Sequence, residues 1–201
     1  MNLSARMMVV LTSVGIISGA LLALVGLMTE ERIALNKQRE IEQAILTVVP
    51  GTQTSQKLYQ EKDLSVYGAK DESGQLTGFA IHASGVGFQD KITLMIGTNP
   101  DLSRIKSLAV LDQTETPGLG AKIADKDTFL KYWENKDATH PLTLRKPPAR
   151  SPQDLGPSEV NTITGATISS ESVLTIVNSS LERVKTLKST GNLNRKPSHA
   201  Q

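Results

Sequence analysis

Three patterns in the 201-residue chain predict an α+β fold, an antiparallel sheet with flanking helices carried on a single N-terminal transmembrane helix. Met7–Met28 is an uncharged apolar run. Between residues 64 and 111, short apolar runs alternate with turn signals. From residue 167 to 187, apolar residues recur at helical spacing. The length suits one core domain plus an anchor. Composition narrows the class. The net charge of +2 has no long basic block behind it, and one Trp, three Tyr and three Phe make no stacking platform, which argues against a nucleic-acid partner. Without Cys there is no disulfide framework, no thiolate nucleophile and no Cys-ligated zinc or iron–sulfur cluster. Any redox chemistry must come from another group.

Residues 1–6 form a short flank, and residues 7–29 are long enough as a helix to cross a bilayer. The stretch has no A-x-A-like cleavage site. Gly15, Gly19 and Ala23 share one face, which fits either close approach of another membrane helix or ordinary glycine usage in such helices. Arg6 on one side faces Arg32, Lys37 and Arg39 on the other, so the charge rule does not decide orientation. Residues 30–50 continue as a helical stalk, with Ile33, Ile41, Ala44, Ile45 and Val48 periodic, until Pro50-Gly51 stops it.

The domain proper is predicted over 51–190. Strands are expected at 64–67, 76–82, 92–96 and 105–111, as an antiparallel meander punctuated at Asp71–Gly74 and Asn99–Asp101. Pro117-Gly118 ends the last of these before a helix-like segment from Ala121 to Asn135. Leu142–Leu144 reads as a further short strand, followed by a loop crowded with prolines. A last helix starts after Thr167, with Val173, Ile176, Val177, Leu181, Val184 and Leu187 as its apolar stripe and Ser169 or Ser170 as its expected N-cap. Residues 191–201 lack apolar periodicity and read as a disordered tail.

The segment Asn161–Thr167 sets a hydroxyl on a Gly-containing turn immediately before a helix N-terminus. Free N–H groups and the positive end of the helix dipole favour a phosphate there. A phosphate esterified to Thr167 would therefore sit in a favourable field, and small Gly165 and Ala166 would admit a bulky group. Lys122 fits either a counter-charge for that phosphate or an ordinary solvated lysine. Asp125 and Asp127 suit the early turns of a helix. His82, His140 and His199 form no ligand set, so no metal site is expected. Tyr132 and Trp133 read as packing residues, and no side chain is placed as a catalytic acid, base or nucleophile.

Two blocks carry a resemblance to a known family. Thr164-Gly165-Ala166-Thr167, preceded by Asn161, resembles the flavinylation motif Asp-x-x-Ser/Thr-Gly-Ala-Thr of membrane-anchored FMN-binding domains. Glu115-Thr116-Pro117-Gly118-Leu119-Gly120, followed by Lys122, resembles a second block of the same family. A weaker match is Gly85-Val86-Gly87-Phe88. With one anchor and the Val49-Pro50-Gly51 stalk end, their order is similar to the G subunit of the Rnf electron transport complex. The resemblance implies FMN held by a phosphoester on Thr167, making the chain a phosphoprotein with covalent flavin. It also implies a cofactor site drawn from Thr164, Gly165, Ala166, Glu115, Thr116, Gly118, Leu119, Gly120 and Lys122. As partners it implies the other membrane subunits of an ion-translocating complex working between ferredoxin and NAD, and a flavin transferase for maturation. The place implied is the inner membrane, with the FMN domain on the periplasmic face. Two positions depart from the pattern: Asn161 stands for the motif Asp, and Val86 and Phe88 stand where relatives carry smaller residues. The C subunit of the sodium-translocating NADH:quinone reductase is similar in the same motifs, and an anchored binding or assembly module is the alternative from a different class.

Overall fold

The computed structural model describes residues 2–194. His199 and most of the expected tail lie outside them. The chain divides into two units, with the boundary between Ile41 and Glu42.

Helix α1 runs from Leu3 to Val48. Its first unit is exposed along the apolar run, and this helix is long and apolar enough to cross a membrane. In the second unit the last turns of α1 bury Ala44, Ile45 and Val48, joined by Val49. The folded unit therefore begins before residue 51, where the sequence places its start. Glycine explains how the helix end seats itself: a Cβ on Gly97 would stand 2.0 Å from the Val48 carbonyl oxygen, and one on Gly78 would stand 3.3 Å from Val49 Cγ1. Only a backbone without side chains lets the chain approach the sheet this closely.

Six strands form one sheet in sequence order: β1 (Thr54–Gln60), β2 (Leu64–Lys70), β3 (Leu76–Val86), β4 (Lys91–Thr98), β5 (Arg104–Asp112) and β6 (Lys136–Asp137). All neighbours are antiparallel. The predicted meander is β2–β5. Strand β1 went unread because TSQKLYQ is a polar edge strand, exposed along most of its length, with no apolar alternation to mark it. Strand β7 (Thr143–Arg145) answers the expectation at 142–144, but it pairs in parallel with the three-residue β8 (Glu159–Asn161) as a separate sheet.

The segment expected as a helix over 121–135 instead folds as two 3-10 turns, Gly120–Ala124 and Leu130–Trp133. Between them the Asp125 carboxylate accepts from both the Thr128 N–H and hydroxyl, each at 2.8 Å. Such a side-chain turn competes with helical pairing. In place of a helix face the segment supplies a set of plugs: Ile123, Phe129 and Trp133 are fully buried, the last two rings meeting edge-on at 5.8 Å.

Helix α2 (Thr167–Ser189) lays Val173, Ile176, Val177, Leu181 and Val184 on the sheet face formed by Leu64, Val66, Ile81, Ile92, Leu94 and Ile96. Beyond it, Asn192–Asn194 forms a further 3-10 turn with Leu193 buried, so ordered packing continues past residue 190.

Candidate functional site

The register of β3 with β4, from Phe79 opposite Thr98 to Val86 opposite Lys91, closes in the turn Gly87–Asp90, where the Gly87 N–H donates to the Asp90 carbonyl at 2.7 Å. That turn presents Phe88 and Gln89 at one end of the sheet. The α2 N-terminus arrives at the same end. Gly165 adopts φ +80°, a left-handed conformation that turns the chain into the helix, and Ala166 caps it with no side-chain hydrogen bond. The expected N-caps, Ser169 and Ser170, instead lie inside the first turn and are buried. The helix starts earlier than their position suggests, and other bonds engage both hydroxyls, local ones for Ser170 and a tertiary one for Ser169. Ser170 Oγ donates to the Ala166 carbonyl at 2.9 Å and accepts from the Ile163 N–H at 3.2 Å. Ser169 Oγ donates to Glu115 Oε2 at 2.6 Å.

Glu115 is the hub of the site. Only 4% exposed, it also accepts at Oε1 from the backbone N–H of Phe88 at 2.7 Å and of Gln89 at 3.2 Å. Nearby, Gln89 Nε2 donates to Thr116 Oγ1 at 2.8 Å. Thr116–Ala121 then reverses direction on Gly118 at φ +78°, with the N–H groups of Leu119 and Ala121 both donating to the Thr116 carbonyl at 3.1 Å. Three segments remote in sequence thus converge on one carboxylate.

They enclose a pocket of about 330 Å³ with Thr167 in its wall. Of the residues singled out in the sequence, Glu115, Thr116, Leu119, Gly120, Gly165, Ala166 and Thr167 line it; Thr164, Gly118 and Lys122 do not. Gly118 acts through the turn geometry. Phe88, Ile168 and Ser169 complete the lining and were absent from the sequence-based site. Ser169 had a readable signal: it lies four residues before Val173 on the buried stripe of α2, and a polar residue in such a stripe requires a buried partner. Phe88, Leu119 and Ile168 are exposed apolar residues around the mouth.

Asn161, in place of the motif Asp, does not reach this pocket. Its side chain is buried and clasps Ala149 from both sides, Oδ1 accepting from the Ala149 N–H at 2.8 Å and Nδ2 donating to the Ala149 carbonyl at 3.0 Å. A carboxylate could make only the first of these bonds. A larger cavity of about 630 Å³ lies beside Lys57, Lys70, Phe79 and Lys188, and none of the motif residues line it.

Residues 87–182 match the FMN-binding domain family. The chain is 26% identical over 186 residues to the G subunit of the ion-translocating oxidoreductase complex of Methanosarcina acetivorans, covering 89% of this chain and 93% of that protein. It is 29% identical over 177 residues to the G subunit of the proton-translocating ferredoxin:NAD(+) oxidoreductase complex of Clostridium ljungdahlii, covering 88% of this chain and 89% of that one. The crystal structure of the C subunit of the Na(+)-translocating NADH-quinone reductase from Parabacteroides distasonis shares the fold, with a TM-score of 0.58 at 18% identity over 83% of this chain and 98% of that chain. The resemblance carried by the TGAT and ETPGLG blocks is thereby borne out: residues 87–182 match the FMN-binding domain family, and G subunits of ion-translocating oxidoreductase complexes are similar in sequence over most of the chain.

Proposed function

We propose that this chain is the membrane-anchored flavoprotein subunit of an Rnf-type complex, holding FMN by a phosphoester on Thr167 and relaying electrons between ferredoxin and NAD branches. The observation that carries the reading is the coincidence of an acceptor hydroxyl, a helix N-terminus and a preformed pocket. Thr167 opens the 23-residue α2 and lines the pocket of about 330 Å³. At that point the helix dipole and the first-turn N–H groups stabilise a phosphate's charge.

The surrounding residues fit a flavin phosphate. Gly165 and Ala166 keep the approach to the hydroxyl open. Leu119, Ile168 and Phe88 offer apolar surface for a ring system. The pocket lies near the lower end of the usual range for ligand sites, about 300–1,000 Å³. A flavin there stays partly exposed, as a relay that exchanges electrons by contact with neighbouring subunits requires. FMN supplies the one- and two-electron chemistry when bound, and the chain supplies position and surroundings. Glu115, Thr116 and Gly120 shape the pocket, whereas Thr164, Gly118 and Lys122 act at most through the turns around it. In maturation, Thr167 Oγ1 would be the acceptor: a flavin transferase would move the flavin phosphoryl group onto it from an activated flavin nucleotide, the phosphoanhydride bond of the donor breaking and the threonine proton passing to the phosphate that leaves. Residues 7–29 cross the inner membrane, residues 30–50 lead away from it, and the FMN domain faces the periplasm.

The test uses the full chain co-expressed with a flavin transferase. After denaturing electrophoresis, the wild-type band is expected to fluoresce under ultraviolet light, and its intact mass is expected to rise by one FMN ester. Thr167→Ala is expected to lose both signals. A dark wild-type band, or a fluorescent Thr167→Ala band, overturns the assignment.

A further inference from the structure

We propose that Glu115 is a positioning residue: its buried carboxylate assembles the pocket around Thr167 and, in doing so, makes the threonine available for modification. This rests on the reading of Thr167 as the flavin acceptor. The family block containing Glu115 invites a role in touching the cofactor, but the geometry points elsewhere. Both carboxylate oxygens are engaged inside the protein, Oε1 by the Phe88 and Gln89 N–H groups and Oε2 by the Ser169 hydroxyl. An ionised carboxylate is an acceptor only, so three inward-pointing donors are a matched set.

The donors come from 26 or 27 residues before Glu115 and from 54 residues after it, one pair from the β3–β4 turn and one from the first turn of α2. No strand pairing or helical bond joins these segments to the 115–120 loop; beside the Gln89–Thr116 side-chain bond, which reaches the β3–β4 turn alone, the carboxylate is the group that engages both segments. The glycines beside it show how tightly it is fitted. A Cβ on Gly87 would lie 2.4 Å from Glu115 Oε1, and one on Gly120 would lie 2.7 Å from Oε2 and from Ser169 Oγ. Ser169 is two residues beyond Thr167 on α2, so fixing its hydroxyl fixes where the helix N-terminus faces.

The distinction between holding and reacting is measurable. In Glu115→Gln the amide oxygen still accepts from both N–H groups, and the amide nitrogen donates to a rotated Ser169 hydroxyl; the shape survives without the charge. Glu115→Ala removes the hub. Full-length wild type and both variants are compared for their rate of flavin fluorescence gain with a flavin transferase, and for hydrogen exchange at the Phe88 and Gln89 amides without flavin. Glu115→Gln is expected to keep at least half the wild-type rate with both amides protected. Glu115→Ala is expected to slow modification at least tenfold and to speed exchange at both amides at least tenfold.

Normal modification of Glu115→Ala overturns the proposal, whatever the exchange shows. So does a Glu115→Gln variant as slow as Glu115→Ala with its amides still protected, because the charge would then act on the reacting groups. If Glu115→Ala does not accumulate, Ser169→Ala carries the test: several-fold slower modification with Phe88 and Gln89 still protected is expected, and an unchanged rate overturns the proposal. A wild type that takes up no flavin defeats the Thr167 reading instead. The exchange comparison still reports on the hub, and unchanged exchange in Glu115→Ala overturns the positioning role.

Discussion

Helix α2 is fastened to the rest of the domain near both ends by polar groups, and the two fastenings are opposites. At the N-terminal end, Ser169 and Glu115 are 3% and 4% exposed and make a matched set with two backbone amides. Towards the other end, Arg183 bridges Glu61 and Asp63 in the β1–β2 turn, with side chains 40–51% exposed. Lys188 Nζ adds a bond to the Pro100 carbonyl at 2.6 Å, and Lys185 another to the Ala138 carbonyl. Water replaces the exposed partners of Arg183 and Lys188 once they are lost. A buried acceptor or donor deprived of its partner has no substitute, and the full desolvation penalty appears. The end of the helix that carries Thr167 is therefore set by a few bonds that cannot slip, and the far end by several that can.

The largest break in this contrast is expected from Gly87→Ala. Its Cβ would meet Glu115 Oε1 at 2.4 Å, the Asp90 carbonyl at 2.6 Å and Ile92 Cδ1 at 2.8 Å, two of them fixed by the hub or the backbone. Relief requires moving the turn away from the carboxylate, at a cost of about 3 kcal/mol. The sole tryptophan, Trp133, is fully buried and reports unfolding by its fluorescence in a denaturant titration of the full chain. A loss under about 1 kcal/mol would mean that the knot is loose. Ser169→Ala comes next: it adds no clash but leaves Glu115 Oε2 buried without its donor, which costs about 2 kcal/mol.

The contrast also marks where the sequence could be read. The meander was legible because Ile92, Leu94 and Ile96 recur at every second position into the core, and the α2 stripe was legible for the complementary reason. Thr167, singled out by motif and by helix-start chemistry together, opens α2 and lines the pocket. The hub was not legible, because Glu115 and Ser169 meet across 54 residues, and the sequence marks the first only as a member of a cofactor site and the second only as a cap. Nor was the 121–135 region legible: Ile123, Phe129 and Trp133 are buried as plugs while the Asp125–Thr128 turn breaks the helix. The stalk end was misplaced for a third reason. Ala44, Ile45 and Val48 read equally well as an exposed helix face or a buried one, and the deciding partner, Gly97, lies in β4.

The smallest effect, and the sharpest check of the exposed fastening, belongs to Arg183. Its guanidinium holds the Asp63 carboxyl below the usual carboxylate range, chiefly by hydrogen bonding and against a weaker opposing effect of burial; the same contact raises Arg183 itself. Because the folded pKa of Asp63 lies below its unfolded value of about 3.9, the stabilisation is complete above that pH and is lost as pH falls through the folded pKa. Solvent screening limits the pair to about 0.2–1 kcal/mol. Arg183→Ala is therefore expected to cost no more than that at pH 7, and the gap between variant and wild type is expected to close as pH falls through the folded pKa of Asp63. Taking the difference between the two proteins at each pH cancels the other carboxylates, which titrate in both. A gap above about 2 kcal/mol at neutral pH, or one that persists in acid, would make the Arg183 end as rigid as the Glu115 end and remove the asymmetry that distinguishes the Thr167 end of α2.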